Sequence, residues 1–434
     1  MDPTTAIFLM LIALLVMVIL GIHIGLALGT TSIIGTYLLY DSVGLAAAQV
    51  GSAAFFVLRD YVFAVIPLFV LMGEFVSKSG SAGDLYKTMN HGLKRVPGRL
   101  AVATVAGNAV FAAVTGTSLA SAATFSRLAY PEMIANNYKR TFALGSVAGS
   151  ASLGMLIPPS VLMIIWGIVT EISIGNLFVA GIVPGLILAS LMAIYSIGHA
   201  IIDPTVAPPV QNAHENPLTR DELISGLGVI ALIFVVLGGL FMGWFTPQES
   251  AAVGAIGGLV LAVIKGVRWY GIRESIIDSG KVIAPIMFLL LTAQMYSRLL
   301  ASGGVISIIS DTIGQSGLDH NVIILSMIIM WLVLGTLLDS GSIILLTVPI
   351  FWPVVQGFGF NEYSFAILGI LAIEAGLLTP PVGLLVYAVK GAVEDKTVTL
   401  LEIFTGSIPY WIMMLMVMGM IWVYPPISHW LTTV

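Results

Sequence analysis

Two adjacent prolines inside an apolar run constrain this chain more than any other feature. The run reads as a membrane span, and its middle is Gly154-Met155-Leu156-Ile157-Pro158-Pro159-Ser160. Each proline removes an amide donor and blocks continuation of a helix. Backbone facing lipid cannot tolerate such a break, so it must be buried in protein or line a polar cavity. The same device recurs at Gly376-Leu377-Leu378-Thr379-Pro380-Pro381-Val382-Gly383. Broken spans at corresponding places in two halves point to the binding site of a transporter.

Composition supports a membrane reading. Of 434 residues, 58% are hydrophobic and 9% charged, with mean hydropathy +1.04. That profile describes an all-α polytopic membrane protein. The chain has no cysteine, which excludes disulfides and thiolate metal sites. Its six histidines are scattered, so no metal beyond a coupling ion is expected. No nucleophile–base–acid set is legible and no enzyme activity is expected. No basic patch suggests nucleic acid. The first apolar run lacks a basic leader and outlasts a signal-peptide core, so it reads as a retained span.

Spans are expected at residues 6–21, 24–40, 61–76 and 177–200, with a less apolar stretch at 46–59 lying at the membrane surface. Residues 102–133 are apolar but centre on Thr115-Gly116-Thr117-Ser118. Each side is short for a crossing of about 20 residues, which suggests a re-entrant helical hairpin. One long span with a small-residue packing face is the alternative. Residues 142–169 form the first broken span. The second half repeats the order: spans at 223–242, 250–264 and 282–300, a hairpin at 322–355 with tip Leu338-Asp339-Ser340-Gly341-Ser342, a broken span at 365–390 and a last span at 403–423. The basic segment between Lys265 and Lys281 reads as a surface helix. Pro158 and Pro380, Gly154 and Gly376, Pro131 and Pro353, and Ser118 and Ser340 are each separated by 222 positions. A single register through four landmarks makes two long spans a poor account. The units are a first repeat, 1–202, a cytoplasmic linker, 203–222, and a second repeat, 223–434.

Charge sets the orientation. With the N-terminus outside, 14 of the 17 lysines and arginines fall on the cytoplasmic side; Arg59 and Arg298 fall outside, and Arg127 lies in the first hairpin. The hairpins then enter from opposite faces, and the fold is a pair of inverted-topology repeats.

Hairpin tips and broken spans expose helix ends inside the membrane. Helix N-termini suit a carboxylate, while C-termini and unwound carbonyls suit Na⁺. The substrate candidates are Thr115, Thr117, Ser118, Ser340, Ser342 and Thr379. The sodium candidates are Asn108, Gly116, Ser118, Gly154, Pro158, Asp339, Gly376 and Pro380. Thr117 and Ser118, or Asp339, could instead act only as helix N-caps. Glu374 is expected to hydrogen-bond amides freed by the second break, and Arg127 to snorkel near the cytoplasmic interface.

Residues 107–108, 115–118 and 131–133, the two double-proline motifs and Leu337-Leu338-Asp339 together resemble the large membrane subunit of TRAP transporters (tripartite ATP-independent periplasmic transporters) of dicarboxylate type. The resemblance covers nearly the whole chain. It implies Na⁺-driven import of an organic acid across the bacterial inner membrane by an elevator mechanism. It also implies a periplasmic substrate-binding protein and a small membrane subunit as partners, with no cofactor besides Na⁺. The alternative is a stand-alone Na⁺/dicarboxylate or citrate symporter of similar hairpin architecture.

Overall fold

The computed structural model describes residues 3–209, 218–315 and 317–432, and among these there is no strand. The first half holds α1 (Pro3–Ile19), α2 (Ile24–Tyr40), α3 (Val43–Arg59), α4 (Val65–Lys78), α5 (Ser81–Gly92), α6 (Arg99–Thr115), α7 (Ser118–Ala135), α8 (Arg140–Ala151), α9 (Leu153–Leu156), α10 (Val161–Thr170) and α11 (Ile174–Ile202). The second holds α12 (Arg220–Phe241), α13 (Pro247–Ile264), α14 (Trp269–Ser302), α15 (Val305–Gln315), α16 (His320–Gly335), α17 (Ser340–Gly357), α18 (Glu362–Leu377), α19 (Leu384–Ala392), α20 (Leu400–Val423) and α21 (Pro426–His429). Among the described residues, eight helical stretches are long and apolar enough to cross a membrane.

Local chemistry fixes many of these ends. Thr219 with Glu222, Thr246 with Glu249 and Thr399 with Glu402 form reciprocal capping boxes that start α12, α13 and α20. Gly116 ends α6 in the left-handed region, at φ +65, where L side chains are strained.

Both hairpins are present: α6 pairs with α7, and α16 with α17. Their arms are longer than the sequence reading allowed. The α6 and α7 helices have 17 and 18 residues because they run past the apolar core, from Arg99 and out to Ala135. At 1.5 Å per residue each arm is roughly 25 Å long, close to the thickness of a hydrocarbon core. Length alone therefore does not define the hairpins. Contact does: each tip meets the middle of a broken span rather than its end. Among the described residues, five stretches able to cross lie between the hairpins, namely Arg140–Thr170, Ile174–Ile202, Arg220–Phe241, Pro247–Ile264 and Trp269–Ser302. An odd number of crossings puts the two hairpins on opposite faces, as inverted repeats require.

The halves are not copies. The basic segment expected as a separate surface helix is instead the start of α14, one 34-residue helix that carries Pro285 internally. Its counterpart in the first half is interrupted at Asp60, which caps a short 3-10 turn over Tyr61–Ala64 before α4. The α5 and α15 helices are not among the elements expected from the sequence. The α5 helix is tied to the second half by Lys87–Glu222 and Lys265–Asp84 ion pairs, each 2.6 Å, and by Ser225 Oγ donating to Ser81 Oγ at 3.0 Å. Of the expected linker, residues 210–217 lie outside the described residues, and α12 already begins at Arg220.

The core sits where the repeats interlock. Trp166 of α10 packs edge-on to Trp331 of α16 and Phe365 of α18, at centroid distances of 5.4 and 5.8 Å. The α10 helix also packs on α17, and α19 packs on α7, so each distal half-helix touches the other repeat's hairpin.

Candidate functional site

The first cluster forms where the α6–α7 tip meets the break between α9 and α10. Val161 N donates to Gly116 O at 3.1 Å, which ties the tip to the second half of the broken span. A Cβ on Gly154 would stand 2.8 Å from Thr117 O and 2.9 Å from Ser118 N, so the two backbones touch. Ser160 bridges the break: its Oγ donates to Met155 O at 2.7 Å and accepts from Met163 N at 3.4 Å. No pattern in the sequence marks Ser160 as the residue that spans the break.

Thr115 Oγ1 donates to Phe111 O at 3.2 Å. Thr117 occupies the N-cap position of α7 but makes no side-chain capping bond, which removes the alternative that it acts only as a cap. Ser118, for which capping was also the alternative, is the first residue of α7 rather than its N-cap, and its buried Oγ has no partner at full hydrogen-bond geometry. Ser121 Oγ, one turn on, is in the same condition. Asn108 is fully buried and donates through Nδ2 to Ser150 Oγ at 2.7 Å, which leaves Oδ1 free. Pro158 is buried and joined to Pro159 by a cis peptide.

The second cluster forms where the α16–α17 tip meets the break between α18 and α19. Gly383 N donates to Thr336 O at 3.2 Å. Gly383 and Val161 are 222 positions apart, so the same place in each broken span holds its hairpin tip. Gly335 and Gly376 cross back to back: a Cβ on Gly376 would stand 2.5 Å from Leu332 O. Asp339 is the N-cap of α17; its carboxylate accepts from Ser342 N at 3.0 Å and from Ser342 Oγ at 2.5 Å. Thr379 Oγ1 donates to Ala375 O at 2.8 Å. The Pro380-Pro381 peptide is cis like its counterpart, but these prolines are exposed whereas Pro158 and Pro159 are buried.

Glu374 is 1% exposed and accepts from Ser340 Oγ at 2.9 Å. This corrects the expectation that it bonds amides of the break, since its identified donor is a hydroxyl at the hairpin tip. Arg127 is exposed on α7, nine residues beyond the tip. Two cavities of about 450 and 460 Å³ lie elsewhere, lined by residues such as Leu325 and Met418, and Asp60 and Glu171. Among the described residues no group of three or more His, Cys, Asp or Glu side chains could hold a metal. The donors here are hydroxyls, carbonyls and isolated carboxylates, oxygen ligands of the kind that hard cations take.

Four matches to known proteins bear on this arrangement. The C4-dicarboxylate TRAP transporter large permease protein DctM of Pseudomonas aeruginosa is 31% identical over 85% of this chain and 85% of its own length. The protein of the same name from Vibrio cholerae is 26% identical over 99% of this chain and 98% of its own length. The crystal structure of the Alcanivorax borkumensis YdaH transporter, reported with an unusual topology, shares the fold with a TM-score of 0.65 at 14% identity, covering 90% of this chain and 91% of that one. The model of the family "Tripartite ATP-independent periplasmic transporter, DctM component" matches residues 11–427. A polytopic helical chain with two hairpins set against two broken spans, matched along nearly its whole length, thus belongs to the DctM family of TRAP transporter large permeases.

Proposed function

We propose that this chain imports a small carboxylate across the bacterial cytoplasmic membrane, driven by a Na⁺ gradient. It receives the substrate from a periplasmic binding protein and works beside a small membrane subunit, with its N-terminus on the periplasmic side. The observation that carries this reading is the duplicated meeting of a hairpin tip with a span broken at mid-length. Such meetings gather the two kinds of helix end that anion and Na⁺ recognition use. Thr115, Thr117 and Ser118 from one tip, and Ser340, Ser342 and Thr379 from the other side, supply hydroxyls for the substrate. Asn108 Oδ1, Ser118 and the backbone at Gly116, Gly154 and Pro158 surround the first Na⁺. Asp339 and the backbone at Gly376 and Pro380 serve the second. Na⁺ supplies the driving charge, and its oxygen ligands come from unwound backbone.

The motion is of elevator type. Hairpins and broken spans are joined by backbone bonds and tight glycine contacts, so they travel as one body. The α1–α4 and α12–α14 helices form the frame. The frame's two halves are clamped together on α5 by the Lys87–Glu222 and Lys265–Asp84 pairs.

The test is uptake by proteoliposomes containing this chain, the small subunit and the binding protein, with C4-dicarboxylates tried first. Uptake is expected to stop when the Na⁺ gradient is dissipated at constant membrane potential. Unchanged uptake without Na⁺ would reject the coupling. Uptake by this chain alone would favour a stand-alone symporter.

A further inference from the structure

The 222-residue register relates the two clusters position by position, and at one buried pair the side chains reach to different places. The position equivalent to Glu374 is Ser152, whose Oγ closes a local bond to Gly149 O at 2.7 Å. Glu374 instead reaches out of its own helix. Its Oε1 takes the Ser340 hydroxyl at the start of α17. Ser118, the register partner of Ser340 at the start of α7, lies against the same carboxyl group. That second contact is looser and falls outside full hydrogen-bond geometry, so Ser118 Oγ and Glu374 Oε2 both remain unpartnered while fully buried. One side chain therefore stands between equivalent serines from the two hairpins.

We infer that Glu374 is a positioning residue that ties the two hairpin tips together, so the two clusters keep a fixed spacing during transport. A buried acceptor between two hydroxyls favours the arrangement that satisfies both, because an unsatisfied buried oxygen is costly. Ser340 anchors the tie to the second hairpin. Ser118 is the looser end and sets how far the first tip can move. The functional consequence rests on reading the tips as the substrate site, whereas the geometry can be tested without substrate or Na⁺.

The chain has no cysteine, so spin labels can be placed singly. Leu119 on α7 and Leu337 at the second tip are 44% and 52% exposed and accept labels beside the two tips. In the Leu119→Cys, Leu337→Cys protein, pulsed electron paramagnetic resonance is expected to give one narrow distance distribution. Glu374→Ala should broaden or split it. Glu374→Gln should preserve it, since an amide accepts from Ser340 and donates to Ser118 Oγ. Ser340→Ala should broaden it with Glu374 intact, which separates the tie from any folding defect of the Glu374 variants. Uptake should fall by about tenfold or more in Glu374→Ala and recover in Glu374→Gln. An unchanged distribution in Glu374→Ala would overturn the tie. Equal broadening in the Gln and Ala variants would also overturn it and assign the carboxylate to charge recognition. A preserved tie in a protein whose uptake ignores Na⁺ would reject the coupling mechanism and leave the tie standing.

Discussion

At Asp339 the structural role is visible, and sequence alone cannot separate it from the proposed functional one. Its carboxylate caps α17 through Ser342, and its side chain is exposed at the tip. Its register partner in the first half is Thr117, a neutral residue that makes no capping bond. The second tip therefore carries a charge that the first lacks, and the cap does not require it. Asn caps as well as Asp, while Ala costs about 0.5–2 kcal/mol. Asp339→Asn should thus keep the thermal stability of the protein and raise the Na⁺ concentration needed for half-maximal uptake. Asp339→Ala should lose both. Unaltered Na⁺ activation in a well-folded Asp339→Asn protein would restrict Asp339 to capping. The tip residues were legible in the sequence because small polar side chains interrupt an apolar run. The partner of Glu374 was not, because Ser340 is 34 residues away and no local pattern records that distance.

At the scale of elements, the hairpins work because backbone meets backbone at the breaks. Gly154 lies on Thr117 and Ser118, and Gly376 lies on Leu332 and Gly335. A flexible side chain could move aside from an added methyl group, but these neighbours are main-chain atoms. Gly154→Ala and Gly376→Ala should each push a tip away from its broken span and abolish transport. Gly51→Ala, on α3, meets nothing within 4 Å and should be silent. Uptake normalised to membrane-inserted protein checks this, and full activity of Gly154→Ala or Gly376→Ala would contradict the close contact. The breaks and hairpins were readable because proline and glycine act through the backbone, which sequence specifies directly. The continuity of α14 was not. Its charged first third resembles a surface segment, and Pro285 resembles a boundary, yet a proline within a membrane helix can be accommodated by its neighbours. The α5 helix escaped notice for a related reason: its ion-pair partners are Glu222 and Lys265, both distant in sequence.

For the whole molecule, the inverted arrangement rests on two independent counts. The structure places five possible crossings between the hairpins, an odd number. The sequence places 14 of 17 basic residues on one face once the N-terminus is set outside. The first count makes the hairpins opposite; only the second says which one faces the cytoplasm. Positive charge opposes transfer across the membrane, so the basic loops are expected on the cytoplasmic side. Single cysteines can test this directly in a cysteine-free chain. Asp41→Cys, between α2 and α3, and Trp244→Cys, between α12 and α13, should react with a membrane-impermeant maleimide in spheroplasts. His91→Cys and Trp269→Cys should react only after the membrane is opened. All four positions are exposed, so a failure to react reports side rather than burial. The reverse pattern would put the second hairpin on the cytoplasmic face and exchange the faces from which the two clusters load. A mixed pattern, with Asp41 and Trp244 on different sides, would break the odd crossing count and with it the inverted repeat.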